Sequence, residues 1–209
     1  MKIAVIGATG HAGSLILKEA LARHLDVTAI VRSPEKLASD VPFVKKDLFD
    51  LTKEDLLAFD VVIDAFRAPS GHEELHQTSL QHLIDLLSGT ETRLLVIGGT
   101  SSLFMDDAKT ERMIDLSDPN AGYYPTAYNM YKAFLELKDS KNLHWTYISP
   151  ASYFVPNGER TGKYTLSDDR MLTDANGDSM ISMADYAIAM VDEAVNNTHP
   201  NQHISVVTI

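Results

Sequence analysis

Cysteine is absent from this chain. That excludes disulfides, cysteine-ligated zinc and a thiol nucleophile, and it suits a reducing compartment. Basic residues are in short supply, with 18 Lys and Arg against 29 Asp and Glu and a net charge of −11. A surface so acidic, with no basic run, repels phosphate backbones and anionic lipid, so nucleic acid and membranes are not expected partners. Long apolar runs, long-period repeats, low-complexity tracts and Pro/Ser linkers are also missing. The opening MKIAVIGATG carries one lysine and a short apolar run before turning glycine-rich, which reads as a buried strand and not a signal peptide. These absences predict a cytoplasmic protein that acts on a small molecule as a monomer or homodimer. With 209 residues, 44% hydrophobic and 22% charged, a single domain over 1–209 is expected.

What is present is an alternation. KIAVIG (2–7), VTAIVR (27–32), VVIDAF (61–66), RLLVIGG (93–99) and HWTYISP (144–150) are nearly continuous apolar runs, as in strands covered on both faces. PFVKKD (42–47) is a weaker strand, and HISVVTI (203–209) a terminal one. Amphipathic segments at 14–25, 72–89 and 124–140 predict helices between them. Alternating strand and helix predicts a Rossmann-type, doubly wound α/β fold with a parallel sheet and right-handed crossovers. GKYTLSDDRMLTDANGDSMISM (162–183) breaks the rhythm as a small hairpin or irregular β region. Ser182 and Asp185 then form a reduced capping box before a last helix. This is a small C-terminal β/α excursion.

The first strand runs directly into GATGHAG (7–13), followed by a helix. Here Gly7 permits the tight turn, Gly10 lets backbone N–H groups approach a pyrophosphate, and Gly13 allows close helix–sheet packing. Thr9, His11 and Ala12 fill the same loop, with His11 covering the pyrophosphate, and the helix N-terminus favours negative charge. Without a ligand the same pattern is simply a tight strand-to-helix turn. An NAD site usually has an acid about 20 residues after the glycines. This chain instead has Arg32 and Ser33 at the second strand's tip. Arginine there can pair bidentately with a 2′-phosphate, so NADP(H) is expected over NAD(H). The alternative is a solvated arginine at a strand end.

GATGHAG, VRSPEKL, KKDLFD, LLVIGGTSSL and ISPASYFVPNGERTGKY…SMADYAIA together resemble the atypical short-chain dehydrogenase/reductases. More narrowly they resemble the small NAD(P)H-binding, NmrA-like and biliverdin-reductase-B-like proteins, over essentially the whole chain. The resemblance implies that Asp47 and Leu48 lie by the adenine. It also implies that Ala65, Phe66 and Arg67, with Gly98, Gly99 and Thr100, run along the cofactor, and that Pro150 and Ala151 approach the nicotinamide. Typical members of the superfamily use a serine after strand five and a tyrosine with a lysine four residues on. Ser101 and Ser102, then Tyr128 and Lys132, stand in that order here. Ser102, Tyr128 and Lys132 are therefore the expected proton-handling groups, with a chance Tyr/Lys pair on a solvated helix face as the alternative. Tyr153 lines the substrate side or is a packed aromatic.

HEELHQTSLQH (72–82) contains the zinc-protease spacing H-E-x-x-H. His72 and His76 could share a helix face. On a continuous helix His82 would lie about 15 Å along the axis from His72, too far to share one ion. The leucines and isoleucine at 75, 80, 83, 84 and 87 keep helical spacing through the string, so a helix without metal is expected. The expected activity is an NADP(H)-dependent oxidoreductase acting on a small carbonyl, quinone, flavin or tetrapyrrole-like acceptor. The alternative is a non-catalytic, NmrA-like redox-sensing protein that binds the dinucleotide.

Overall fold

The computed structural model describes residues 1–174 and 176–208. Ala175, within the predicted C-terminal excursion, and Ile209, the last residue of the predicted terminal strand, lie outside the described residues. In chain order the elements are β1 (Lys2–Ile6), α1 (His11–Ala22), β2 (Asp26–Val31), β3 (Phe43–Lys45), α2 (Lys53–Leu56), β4 (Val61–Asp64), α3 (Leu75–Leu87) and β5 (Arg93–Ile97). They continue with α4 (Tyr124–Asp139), β6 (His144–Pro150), β7 (Tyr153–Val155), β8 (Thr165–Ser167), β9 (Met180–Ser182), α5 (Met183–Asn196) and β10 (Gln202–Val207).

Eight strands form one sheet in the order β3-β2-β1-β4-β5-β6-β10-β8. All are parallel except β8, which pairs antiparallel with β10 at one edge. The strand order reverses between β1 and β4, which opens a crevice beyond the carboxyl ends of those strands, where ligands bind in open α/β sheets. This is the predicted doubly wound Rossmann-type fold.

Strand alternation divides the core between the two faces. Ile3 and Val5 point into a cluster with Ile16, Ala20, Tyr186 and Met190 of α1 and α5. Ala4 and Ile6 point the other way, into a cluster with Leu80, Leu83, Phe134 and Leu137 of α3 and α4. Each of these large apolar side chains contributes about 1.5–3 kcal/mol by leaving water.

The excursion takes the irregular form and not the hairpin. β8 joins the main sheet, while β9 pairs in parallel with β7, so the two strands flanking the Asn176–Gly177 turn never pair with each other. The α5 cap is only half of a box. Ser182 accepts from the Asp185 N–H at 2.9 Å. The Asp185 carboxylate, fully buried, instead accepts from Thr161 N–H (3.2 Å), Thr161 Oγ1 (2.7 Å) and Gly162 N–H (2.8 Å). A side chain that satisfies a distant loop cannot also reach back to its own cap. α2 was not expected from the sequence, although Thr52 and Asp55 form a complete capping box for it.

The histidine string is a helix, but a shorter one. α3 begins at Leu75, so His72 lies before it, exposed, while His76 is buried and His82 meets the Leu51 carbonyl at 3.1 Å. No group of three or more His, Cys, Asp or Glu among the described residues could hold a metal ion.

Candidate functional site: a nucleotide crevice at the strand ends

The glycine loop is shaped by close approach. Gly7 has φ +73°, and a Cβ there would stand 2.6 Å from the Ala65 carbonyl oxygen, so the β1 and β4 ends can touch only because it is glycine. Gly13 packs still closer, since its Cβ would lie 2.3 Å from the Gly7 carbonyl oxygen. Gly10 is different: a Cβ would meet only Gly7 O, at 3.3 Å. Thr9, Gly10 and His11 are exposed.

α1 starts at His11 with Gly10 as its N-cap, with no side-chain cap and no acid in the first turn. Among the described residues the N–H groups of His11, Ala12 and Gly13 have no backbone acceptor. Unpaired donors at the positive end of a helix dipole, next to an open loop, suit a pyrophosphate. The residues present therefore fit the phosphates of a dinucleotide.

At the second strand's tip Arg32 is largely exposed, and its Nη1 lies 3.5 Å from Asp47 Oδ2. Ser33 is half-buried beside it as the N-cap of a short 3₁₀ turn, Pro34–Lys36. Asp47 is fixed by accepting the Phe49 N–H at 3.0 Å as the cap of a second such turn, Leu48–Asp50. Ala65 and Phe66 are half-buried and Arg67 exposed just beyond β4.

Several predicted cofactor neighbours lie deeper than expected. Leu48 packs into the α3-side core, and Gly98, Pro150 and Ala151 are buried. Gly98 is glycine because the Tyr147 ring lies against it, with Cε1 2.4 Å from where a Cβ would be. Gly99 abuts Met130 and donates its N–H to Tyr147 Oη at 3.1 Å. The half-buried Thr100 hydroxyl reaches the Pro150 and Ala151 carbonyls at 3.3 and 3.4 Å. These residues shape the crevice wall from behind its surface.

The expected proton-handling residues are set apart from one another in burial. Ser102 is completely buried. Its hydroxyl donates to Gly99 O at 2.9 Å and lies 3.3 Å from both Ser149 Oγ and His203 Nε2, while its carbonyl accepts from Arg112 Nη1. Ser149 Oγ in turn meets His203 Nε2 at 2.8 Å and donates to Gly99 O at 2.8 Å. Ser102 therefore braces the β5 end from within the core. Ser101 likewise donates to the Ala127 carbonyl, at 2.9 Å.

Tyr128 is exposed and stacks on Tyr124, with ring centroids 5.9 Å apart. At about 100° per residue it lies roughly half a turn from the buried stripe of Ala133, Phe134 and Leu137, and Lys132 follows it. Tyr128 is exposed and Lys132 half-buried, both on the side of α4 away from that stripe. Tyr153 is also exposed, opposite Met180 across β7 and β9, so it is not a packed aromatic.

Two buried titratable groups lie near the crevice, Asp64, which the sequence analysis did not single out, and His76, which it met only as a possible metal ligand. Asp64, at the end of β4, is buried, and burial pushes its carboxyl up to about 6 against one hydrogen bond from Phe66 N–H at 2.9 Å. His76 is pushed down to about 4, by burial first and Arg67 second. Both line a small cavity of about 20 Å³ with Phe66, Ser79 and Tyr147. A carboxylate inside the apolar run VVIDAF was the available signal for Asp64; the H-E-x-x-H string drew notice to His76 but carried no sign of its place in this cavity.

The profile of the family described as NAD(P)H-binding matches residues 7–196, from the first glycine of the loop to the end of α5. This chain is a member of that NAD(P)H-binding family. Among relatives, the uncharacterized protein YwnB of Bacillus subtilis is 46% identical over 210 residues, spanning 100% of this chain and 99% of its own. A Streptococcus pneumoniae structure, provisionally named an NADH-flavin reductase, is 44% identical with TM-score 0.95 over all of both chains. A Lactobacillus casei structure is 34% identical with TM-score 0.92, over 100% of this chain and 99% of that one. Family membership accords with the open loop and the uncapped helix. No helix among the described residues is long and apolar enough to cross a membrane.

Proposed function

We propose that this protein is an NAD(P)H-dependent reductase that binds the dinucleotide across the β1–β4 crevice and passes a hydride to a small diffusible acceptor. The observation that carries the proposal is the uncapped N-terminus of α1, with its unpaired N–H groups beside exposed Thr9, Gly10 and His11. His11, Ala12 and Gly13 amides hold the pyrophosphate, Asp47 stands by the adenosine, and the Arg32 guanidinium, with Ser33, takes a 2′-phosphate. When bound, the cofactor supplies the hydride.

The acceptor class follows from what the crevice wall presents. Ser102 is sealed behind the β5 end, Tyr128 is exposed and Lys132 half-buried. A simple ketone needs a positioned acid for its developing alkoxide. A flavin or quinone spreads that charge over its own rings and takes its proton from water. Exposed Met105, Leu116 and Tyr123 lie in the segment leaving β5, and exposed Tyr153 sits opposite Met180 of β9 just beyond β6, apolar and aromatic surface of the kind a flat acceptor would use. The name of the pneumococcal relative points the same way.

The test is to mix purified protein with NADPH or NADH and a panel of flavins, quinones and simple ketones, following nucleotide absorbance. Oxidation with flavins or quinones and not with ketones is the expected result. The same lack of a positioned acid favours one second reading, a redox-sensing protein that binds the nucleotide and turns nothing over. Tight nucleotide binding with no acceptor-dependent oxidation would establish it instead.

A further inference from the structure

A second cavity lies away from the nucleotide crevice, at the amino ends of β6 and β10 beside the last turn of α4. Its volume of about 530 Å³ is that of a small-molecule site. β6 runs seven residues from this end toward the crevice, which sets the two sites roughly 20 Å apart. The chain's net charge is −11, yet three lysines line this cavity. Lys109 is held by Asp168 and Asp169, the acids of the same wall, at 3.0 and 2.5 Å, and Arg170 also pairs with Asp168 at 2.8 Å. Lys138 and Lys141 are exposed and form no salt bridge among the described residues, which leaves two cations without partners. Phe134 and Trp145 form an apolar side. The cavity also offers an unused acceptor. His203, which lines it, is 9% exposed, and its Nδ1 has no hydrogen-bond partner among the described residues. The single protons of the Ser102 and Ser149 hydroxyls both go to Gly99 O, so Nε2 carries the ring proton and donates to Ser149 Oγ at 2.8 Å. Nδ1 is then a bare lone pair. Burial pushes the imidazole down to about 3, so the ring stays neutral.

We propose that this cavity is a second binding site, for a small organic anion that carries a hydroxyl group. Lys138 and Lys141 hold the acid, and the hydroxyl donates to His203 Nδ1. The site stands independently of the nucleotide crevice. Two ammonium groups serve a carboxylate or a phosphate ester alike, so both belong to the class. The hydroxyl sets the selectivity. A buried acceptor is costly to leave unpaired, and an acid of the same size without a donor leaves it so.

Trp145 is the only tryptophan in the chain, so its emission reports on this cavity and not on the crevice. The whole protein is titrated at constant ionic strength with malate and with glycerol phosphate, each against a counterpart without hydroxyls, succinate and propyl phosphate. The expected result is a saturable change with malate or glycerol phosphate, at least about fivefold tighter than with its counterpart. The tighter of the two identifies the acid group. Lys138→Met and Lys141→Met, both at exposed positions, should each weaken that binding at least about threefold and leave NADPH affinity unchanged. Circular dichroism checks the fold of each variant. Equal binding of hydroxylated and plain acids removes His203 from the site and overturns the proposal. Binding that neither lysine variant weakens overturns it too, as does the lack of any saturable change by tens of millimolar.

Discussion

Gly13 sits against Gly7 so closely that a methyl group on it would lie 2.3 Å from the Gly7 carbonyl oxygen, whereas one on Gly10 would keep 3.3 Å from the same atom. The two glycines therefore have separable jobs. Gly13→Ala should destabilise the fold by about 1–3 kcal/mol, because backbone must move to admit the methyl group. Gly10→Ala should change stability by less than about 1 kcal/mol and still weaken dinucleotide binding, since its Cβ points to where backbone amides meet phosphate. Urea unfolding and calorimetric titration of both variants separate the effects.

Asp64 gives a pH signature. Its folded value is raised to about 6 from 3.8, so the native state holds its proton more tightly than the unfolded chain. The associated stability is fully present below about pH 4 and is lost as pH rises through 6. A shift of that size corresponds to about 3 kcal/mol of stability lost by neutral pH. Asp64→Asn keeps an oxygen for the Phe66 N–H and should flatten this dependence, making the variant more stable than the native chain at pH 8 and not at pH 4. His76 and His203 have the opposite sign. Burial depresses them to about 4 and about 3, so their contributions are present above about 6.5 and lost as pH falls through the folded values. Urea midpoints across pH 4–8 check both.

The stretch NGERTGKY, which helped identify the family, proves to be a strap. Arg160 makes hydrogen bonds to both oxygens of the buried Glu19 on α1, at 3.0 and 3.1 Å. Thr161 and Gly162 bind Asp185, and Tyr164 Oη donates to Asp192 at 2.5 Å. Asp185→Ala strands three donors and should cost roughly 2–4 kcal/mol. Arg160→Ala, at a half-exposed site, should cost less, about 1 kcal/mol. Thermal or urea unfolding measures the difference, with the nucleotide affinity of both variants retained.

This strap marks the boundary of what the sequence made legible. The parallel sheet, its strands and the glycine loop were all visible, because burial on both faces and a forced turn leave local signatures. Even β6 was bounded to the residue. The starts of α1 and α3 were not, since neither helix has a side-chain cap to announce it. Residue types at the right spacing say less. Ser102 and Tyr128 stand in the superfamily's order, but spacing does not report which way a side chain faces. Asp185 reads as half a capping box, and its actual partners lie 23 and 24 residues away.

The orientation of α4 yields its own prediction. Tyr128→Phe and Lys132→Ala should each leave turnover with a flavin or quinone within about twofold, because such an acceptor spreads its own charge and needs no acid from either residue. A loss of two orders of magnitude in steady-state kcat for either variant would return the Tyr/Lys pair to the chemistry.

The most direct measurement is calorimetric titration of the purified protein with NADPH. One dinucleotide per chain, weakened in Gly10→Ala and weakened by added pyrophosphate, is the expected result. Absence of any heat of association at millimolar nucleotide would contradict the assignment of the α1 N-terminus as a phosphate cradle, and with it the proposed reductase.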